Sequence, residues 1–249
     1  MTFKMVLADA KQFQHIISSW SLLDEANVFA SEKGLELRAM DPSRVAMLDF
    51  TLPVVAFEDY EFNSKNPLRL GLNVAELKTI LARLQTNDIL SIELNNSTKL
   101  ELTFSGAIEK KFGLALLDLG EGQYPAPNQK IDAMIKLSTS EFTQILKDAE
   151  VCGGHILFHA TKESLTLATS TETKDFKITI EKDSDLVADF KVTQEVKANY
   201  NLSYLKEMTH EKLSPLVQIS FSSAMPVCFE YRIMNSGRQR YFLSPRIEI

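Results

Sequence analysis

The feature that most constrains this chain is an internal repeat of helices and strands at a spacing of about 129 residues. Apolar residues at positions i, i+3, i+4 and i+7 form one stripe along a short helix. Such sets begin at Phe13, Leu77 and Phe142, and a looser set begins at Leu202. Each helix is followed by a pair of segments in which apolar and polar residues alternate, which is typical of half-buried antiparallel strands. The sequence therefore indicates a tandem duplication of one α+β unit.

The segment between the two copies, residues 120–129, contains two glycines and two prolines. That composition disfavours regular structure and is typical of a linker. We therefore predict an N-terminal domain at residues 1–117, a connecting loop at 118–130 and a C-terminal domain at 131–249. Domains of this length can each enclose a core of their own.

Composition narrows the class of protein. The 249 residues are 45% hydrophobic and 24% charged, as in an ordinary globular protein, and carry a net charge of −6. This charge argues against a protein that coats nucleic acid with its whole surface, but it leaves room for a local basic strip. Cys152 and Cys228 are the only cysteines, so we expect no disulfide framework and a reducing cytoplasm. No segment approaches the ~18 apolar residues of a membrane helix, and no membrane partner is expected.

No motif in the sequence requires catalysis. Gly153-Gly154 lacks the spacing and the Lys-Ser/Thr pair of a phosphate-binding loop. His155 and His159 could ligate a metal if they lay on a helix, but the apolar residues between them favour a strand. We therefore predict no enzyme activity, no metal and no cofactor. An unrelated α+β hydrolase that uses these two histidines is the alternative from another class.

Three segments carry a resemblance to one known family. They are GLELRAMDPSRV at residues 34–45, AMPVCFEY at residues 224–231 and YFLSPRIE at residues 241–248. The first resembles the first-domain hairpin of the archaeal and eukaryotic sliding clamps, the PCNA family. The second is similar to the penultimate strand of that family, and the third to its closing segment, which usually has Ala where this chain has Ser244. With the duplication and the length, the resemblance covers essentially the whole chain.

The resemblance implies an α+β fold of two similar DNA-clamp domains, with helices lining a central hole and antiparallel sheets outside. It also implies a ring of three subunits joined head to tail. Such a protein encircles duplex DNA and tethers the replicative polymerase and other replication and repair proteins, which raises processivity. The implied partners are double-stranded DNA, held topologically and without sequence preference, a clamp loader, and DNA polymerase, flap endonuclease and DNA ligase through short peptide motifs. The ring would contain copies of this chain or its paralogues, at the nucleoid in an archaeon or in the nucleus of a eukaryote. A specialised subunit of a hetero-trimeric or checkpoint ring is the alternative.

The helix faces opposite the apolar stripes would face DNA in such a ring. In the first three helices these faces carry no acidic residue, although Asp and Glu outnumber Lys and Arg by 33 to 27. Chance is the alternative explanation. A mildly basic lining suits a clamp, because each neutralised phosphate adds salt-dependent affinity that would hinder sliding. The fourth helix also carries Glu207 and Glu211, which weakens its contribution. The predicted DNA-facing residues are Lys11, His15, Lys78, Arg83, Lys147, Lys206 and His210.

The resemblance also implies a pocket that accepts a short helical peptide with aliphatic and aromatic anchors. The predicted pocket residues are Met40, Arg44, Val45, Met47, Tyr124, Pro125, Pro226, Phe242, Leu243, Ser244, Pro245 and Ile247. The connecting loop departs from the acidic, Leu/Pro-rich form that is usual in the family. For several of these residues a place in the core is the alternative interpretation.

The subunit interface is expected to pair residues 110–117 of one subunit with residues 173–182 of the next. Edge strands with alternating apolar residues are prone to aggregate unless another strand covers them. Ring closure would cover both. The predicted interface residues are Lys110, Lys111, Phe112, Leu114, Lys174, Phe176 and Ile178.

Overall fold

The computed structural model describes residues 2–96, 98–120, 122, 124–125, 127 and 130–246. These residues form two compact units. The first comprises the described parts of 1–42, 48–126 and 232–239, and the second those of 43–47, 127–231 and 240–249. The predicted domain bounds divide the chain by repeat. In the structure, residues 43–47 of the first repeat belong to the second unit, and residues 232–239 of the second repeat belong to the first unit. No helix of the described residues is long and apolar enough to cross a membrane.

The first repeat contains nine strands, two α-helices and a short 3-10 turn at Val54–Ala56. The elements are β1 (Thr2–Leu7), α1 (Ala10–Ser18), β2 (Glu25–Ser31), β3 (Gly34–Met40), β4 (Ala46–Pro53), β5 (Asp59–Asn63), β6 (Leu68–Asn73), α2 (Val74–Leu81), β7 (Ile89–Asn95), β8 (Lys99–Ser105) and β9 (Lys110–Ala115).

The second repeat contains the same strands and α-helices in the same order, without a counterpart of the 3-10 turn in its described residues. They are β10 (Ala133–Ser138), α3 (Thr139–Glu150), β11 (His155–Ala160), β12 (Ser164–Ser170), β13 (Asp175–Glu181), β14 (Val187–Val192), β15 (Val196–Asn201), α4 (Leu202–Glu207), β16 (Leu216–Phe221), β17 (Val227–Ile233) and β18 (Gly237–Leu243). All four helices predicted from the apolar stripes are therefore present.

The strand order confirms the duplication. In the first repeat one series of neighbouring strands is β5-β1-β7-β8-β9 and the other is β4-β3-β2-β6. The second repeat has the equivalent series, β14-β10-β16-β17-β18 and β13-β12-β11-β15. A backbone contact after the last strand of each repeat is also duplicated. The N–H of Leu117 donates to the carbonyl of Gly71 at 2.9 Å, and that of Arg246 donates to the carbonyl of Asn199 at 2.7 Å.

Each α-helix begins at a polar residue whose side chain accepts a hydrogen bond from a backbone N–H of the first turn. These capping residues are Asp9, Asn73, Ser138 and Asn201. Such caps satisfy N–H groups that have no partner within the helix. The apolar faces of α1 and α3 are buried, with Phe13 and Phe142 among the buried side chains of the two cores.

Candidate DNA-facing helices, partner pocket and subunit edges

The ammonium group of Lys11 is engaged within the first unit. It donates to the backbone carbonyl of Leu84, just beyond α2, and to the side-chain oxygen of Gln14 at 3.1 Å. The side chain is half-buried. Lys11 therefore joins α1 to the end of α2, and only part of its charge remains available to an external phosphate.

The other predicted cations of the first unit differ in exposure. Burial lowers the pKa of Lys78, and the nearby carboxylate of Asp24 partly opposes that change. His15 is half-buried in the last turn of α1. Arg83 follows α2, is exposed, and forms no ion pair with any described residue. Of Lys78, His15 and Arg83, only Arg83 is exposed, so its guanidinium is the most accessible to a phosphate group.

In the second unit the two predicted lysines are not equivalent. Lys147 is exposed on α3 and has no carboxylate partner in the described part of the chain. Lys206 on α4 forms an ion pair with Glu150, at the end of α3. On α3 the side-chain amide of Gln144 donates to the carboxylate of Asp148 at 2.7 Å. The exposed surface of α3 is therefore of mixed charge, because carboxylates flank the stripe that itself contains none.

His210 packs inside the second unit. Its ring centroid lies 5.7 Å from that of Tyr241, and its backbone N–H donates to the hydroxyl oxygen of Tyr231 at 3.4 Å. The side chain is half-buried. These contacts favour a packing role over a direct contact with DNA.

The part of the predicted partner pocket that belongs to the second unit combines surface and core residues. Val45 is 37% exposed, and its carbonyl accepts a hydrogen bond from the N–H of Ser244 at 2.9 Å. Phe242 and Leu243 are only 5% and 1% exposed, so these two side chains pack in the core. Among the remaining predicted residues here, Arg44 is exposed with φ of 58°, and Met47, Pro226 and Pro245 are half-buried. Ile247 lies outside the described residues.

The part in the first unit is organised by an arginine that sequence reasoning missed. The guanidinium of Arg38 on β3 donates to the carbonyl of Tyr124 at 3.1 Å and contacts the carboxylate of Asp49 on β4 at 3.4 Å. Asp49 is 4% exposed. Arg38 therefore ties the connecting loop to the sheet. Tyr124 and Pro125 are exposed and Met40 is half-buried.

The residues predicted to join subunits lie on strands that end their sheets, except for Lys174, which directly precedes β13. β9 is one edge of the five-stranded sheet β5-β1-β7-β8-β9, and β13 is one edge of the four-stranded sheet β13-β12-β11-β15. Their inner faces are partly or fully covered and their outer faces are open. Lys111 and Lys174 are exposed, Lys110, Phe112, Phe176 and Ile178 are half-buried, and Leu114 is buried.

Contacts beside the edge strands position some of the charged groups. Lys110 lies 3.7 Å from the buried carboxylate of Asp88 and donates to the carbonyl of Arg83 at 3.3 Å. Lys174 donates to the carbonyl of Val151 at 3.4 Å, and the Val151 side chain is largely exposed. Both edges thus carry ammonium groups held by their own unit.

The two histidines that suggested a metal site have other partners. A guanidinium nitrogen of Arg246 lies 3.2 Å from Nδ1 of His155. His159 contacts Glu195 at 2.7 Å, and Lys197 contacts the same carboxylate at 3.2 Å. His155 and His159 lie on β11, as the apolar residues between them predict.

The duplicated topology defines a class of protein, the DNA clamps. The chain superposes on the crystal structure of PCNA from Thermococcus kodakaraensis with a TM-score of 0.92, at 22% sequence identity, covering 98% of this chain and 100% of that one. At this identity the likeness establishes the fold.

Family models narrow the class further. The N-terminal domain model of proliferating cell nuclear antigen matches residues 2–120, and the C-terminal domain model matches residues 125–246. The chain belongs to the proliferating cell nuclear antigen family, whose members are non-enzymatic processivity factors. It is 32% identical to DNA polymerase sliding clamp 1 of Pyrobaculum aerophilum, over 96% of both chains. It is also 32% identical to DNA polymerase sliding clamp 1 of Thermococcus kodakarensis and to the DNA polymerase sliding clamp of Pyrococcus furiosus, over the full length of both chains in each case.

Proposed function

We propose that this chain is the subunit of a sliding clamp, a ring that encircles duplex DNA and tethers the replicative polymerase. The relatives of similar length are DNA polymerase sliding clamps. The observation that carries the proposal is a difference between equivalent strands of the two repeats. β18 and β4 are neighbours in one sheet, whereas β9 and β13 each end a sheet.

One edge pairing occurs inside the chain. β18, the last strand of the second repeat, is the neighbour of β4 of the first. The close approach of these strands is seen in the first unit, where a Cβ atom added to Gly237 of β18 would lie 3.0 Å from the carbonyl oxygen of Thr51 of β4. In the second unit the N–H of Ser244 donates to the carbonyl of Val45. The fold therefore already contains one junction between a ninth strand and a fourth strand.

The equivalent strands of the opposite repeats are left without such a partner. The copy of β18 in the first repeat is β9, the copy of β4 in the second repeat is β13, and both end their sheets. A second chain that places its β13 against β9 would repeat the internal junction. This is a head-to-tail contact, which closes into a ring when the rotation at each junction divides a full turn. Two repeats per chain give three subunits if the junctions make a pseudo-sixfold ring.

The helix faces suit a ring that slides. Arg83 and Lys147 are exposed cations, whereas the charges of Lys11 and Lys206 are partly or fully engaged within their own units. Few phosphates would then be neutralised, so the intrinsic affinity for DNA would be low and would depend only weakly on salt. Retention on DNA would come from the topological link, which leaves the contacts weak enough for sliding.

We further propose that partners dock through short peptides on the surface around Val45, Ser244 and Pro245 of the second unit. A clamp loader, DNA polymerase, flap endonuclease and DNA ligase are the expected partners. Because the matched relatives are archaeal, we expect the protein to act at the nucleoid in the cytoplasm. The bounds 1–117, 118–130 and 131–249 are proposed as the functional division into domain, loop and domain.

Solution mass and DNA retention test this function together. At low micromolar concentration we expect a mass near three times 28.1 kDa. With a clamp loader and ATP, the protein should remain on nicked circular DNA through gel filtration and be lost after the circle is cut. Equal retention on circular and linear DNA would rule out a topological clamp. A chain that stays monomeric alone but joins a ring with paralogues would favour the hetero-trimeric alternative.

A further inference from the structure

An open cavity of about 580 Å³ lies in the second unit, apart from the partner pocket and from the helices. Its floor is one row of residues across the four-stranded sheet. The strand registers pair Lys177 with Ala168, Ala168 with Leu157, and Leu157 with Asn199. Directly opposed residues in antiparallel strands project to the same face, so this row lies on the solvent side of the sheet.

Two cations and one carboxylate line this cavity. Gly153 and Gly154 are in the lining, and neither backbone N–H has a hydrogen-bond partner among the described residues. Arg246 and Lys177 are also in the lining, and neither forms an ion pair with a carboxylate in the described chain, although a guanidinium nitrogen of Arg246 lies 3.2 Å from Nδ1 of His155. Asp175 is the one acidic residue in the lining. Cations therefore exceed carboxylates at this site, in a chain whose net charge is −6.

The first repeat shows what covers the same face. In the alignment of the two repeats, Arg38 corresponds to Ala168 and Asn27 corresponds to Leu157. Both donate to the connecting loop, Arg38 to the carbonyl of Tyr124 and Asn27 to that of Gly120.

A second arginine of the first repeat holds the same segment. Arg69 on β6 donates to the carbonyl of Gly120 at 2.7 Å and pairs with the carboxylate of Asp118 at 3.0 Å. An extended stretch of chain with an acidic residue therefore lies on this face in the first unit and is bound through its carbonyl and carboxylate oxygens.

The two rows differ in the residues that would decide their ligand. Where the first repeat has Arg38 and Asn27, the second has the smaller or apolar side chains of Ala168 and Leu157, which leave the space open. Where the first has Asp49 beside Arg38, the second has Lys177 beside Ala168. The second face thus has no carboxylate at the position of Asp49 and carries two cations, Lys177 and Arg246, that are not paired with a carboxylate of the described chain.

We propose that this face, the β13-β12-β11-β15 face lined by Arg246, Lys177 and the Gly153-Gly154 backbone, binds an extended acidic peptide segment of a partner protein. A carboxylate of the peptide would lie between Arg246 and Lys177, because charge-assisted hydrogen bonds to carboxylates are the strongest that these groups form. Its backbone carbonyls would accept from the two glycine N–H groups. The apolar floor of Leu157 and Ala168 would contact a small side chain of the peptide.

The test uses the full chain, labelled with 15N, and a peptide with the sequence of residues 117–125, blocked at both ends. We expect saturable shifts of the Gly153 and Gly154 amide resonances. A second peptide with Asp118→Asn and Glu121→Gln should bind at least about fivefold more weakly, since only the charge differs. Arg246→Gln and Lys177→Gln should each weaken binding of the acidic peptide by about tenfold.

Lys162→Gln is the matched control, because Lys162 is an exposed lysine in the β11–β12 turn of the same sheet without an ion pair in the described residues. It should bind like the parent chain. Solution mass of every variant is measured alongside, because Lys177 lies on β13. Equal binding of the acidic and neutral peptides, or unchanged binding by Arg246→Gln, would refute the proposal. Tighter binding of AMP than of the acidic peptide at these glycines would also overturn it, in favour of a small phosphorylated ligand.

Discussion

Val45→Asp and Leu243→Ala should separate partner binding from folding, although both residues belong to the predicted pocket. Full burial of a valine side chain stabilises by about 1.5–3 kcal/mol. Val45 is 37% exposed, so a bound peptide can gain about 0.5–1 kcal/mol from covering it. An aspartate there loses this contribution and leaves a desolvated carboxylate without a partner, which costs about 1–3 kcal/mol more. We therefore expect the dissociation constant of a partner peptide to rise at least about tenfold, with little change in stability.

Leu243→Ala should have the opposite profile. Leu243 is 1% exposed, and removal of a buried leucine side chain costs about 2–5 kcal/mol of folding free energy. For a chain of this size that corresponds to a fall in Tm of about 5–15 °C. Loss of partner binding in this variant would therefore follow from unfolding or distortion, and could not identify a contact.

Fluorescence anisotropy with a labelled clamp-binding peptide of the host polymerase measures the first effect, and thermal unfolding measures the second. Ser244→Ala is the control, because it keeps the backbone N–H that donates to Val45 and should change both readouts little. If Val45→Asp bound the peptide like the parent chain, the docking surface would be elsewhere. If Leu243→Ala kept the parent Tm, the burial argument would fail.

Three further predictions address the ring, its lining and the loop. Ile178→Asp should lower the solution mass from about three times 28.1 kDa to 28.1 kDa, because it places a carboxylate at the β13 edge; an intact trimer would contradict the edge pairing. Lys147→Gln should reduce clamp-loader-independent DNA binding at low salt more than Lys206→Gln, because only the second ammonium is already paired with a carboxylate; equal losses in a salt titration would argue against this distinction. Gly71→Val should lower the stability of the chain by about 1–3 kcal/mol, since a Cβ there collides with the carbonyl oxygen of Leu117; an unchanged denaturant midpoint would show that residues 116–120 can move aside.

Periodicity along the sequence predicts the four helices and several of the strands, but not which elements contact one another. The apolar stripes at Phe13 and Phe142 predict helices because their spacing matches one face of a helix. The alternation in residues 176–180 likewise predicts the strand that proves to be an edge. Both signals are local, so a single sequence carries them in full.

Contacts between residues distant in sequence could not be read in the same way. Lys206 was assigned to DNA from its helix position, but its ammonium pairs with Glu150, a residue of a different helix. The family resemblance places Leu243 in the partner pocket, and in the structure its side chain is only 1% exposed. In each case the outcome depends on which elements meet in space, and helical or strand periodicity contains no information on that point.

The comparison of the repeats supplies some of this missing information, because each repeat is a structural template for the other. The junction of β18 with β4 is the reason why we propose β9 and β13, which both end their sheets, as the edges that pair between subunits. In the same way, the loop held by Arg38 is the reason why we propose the open face around Lys177 as a second place for extended chain. The shared fold of the two repeats determines where an extended segment can bind. The residues that differ between the repeats determine the charge of the segment that binds. In a duplicated chain, a strand edge or sheet face that is covered by the chain itself in one repeat and open in the other is therefore a candidate binding site for another chain.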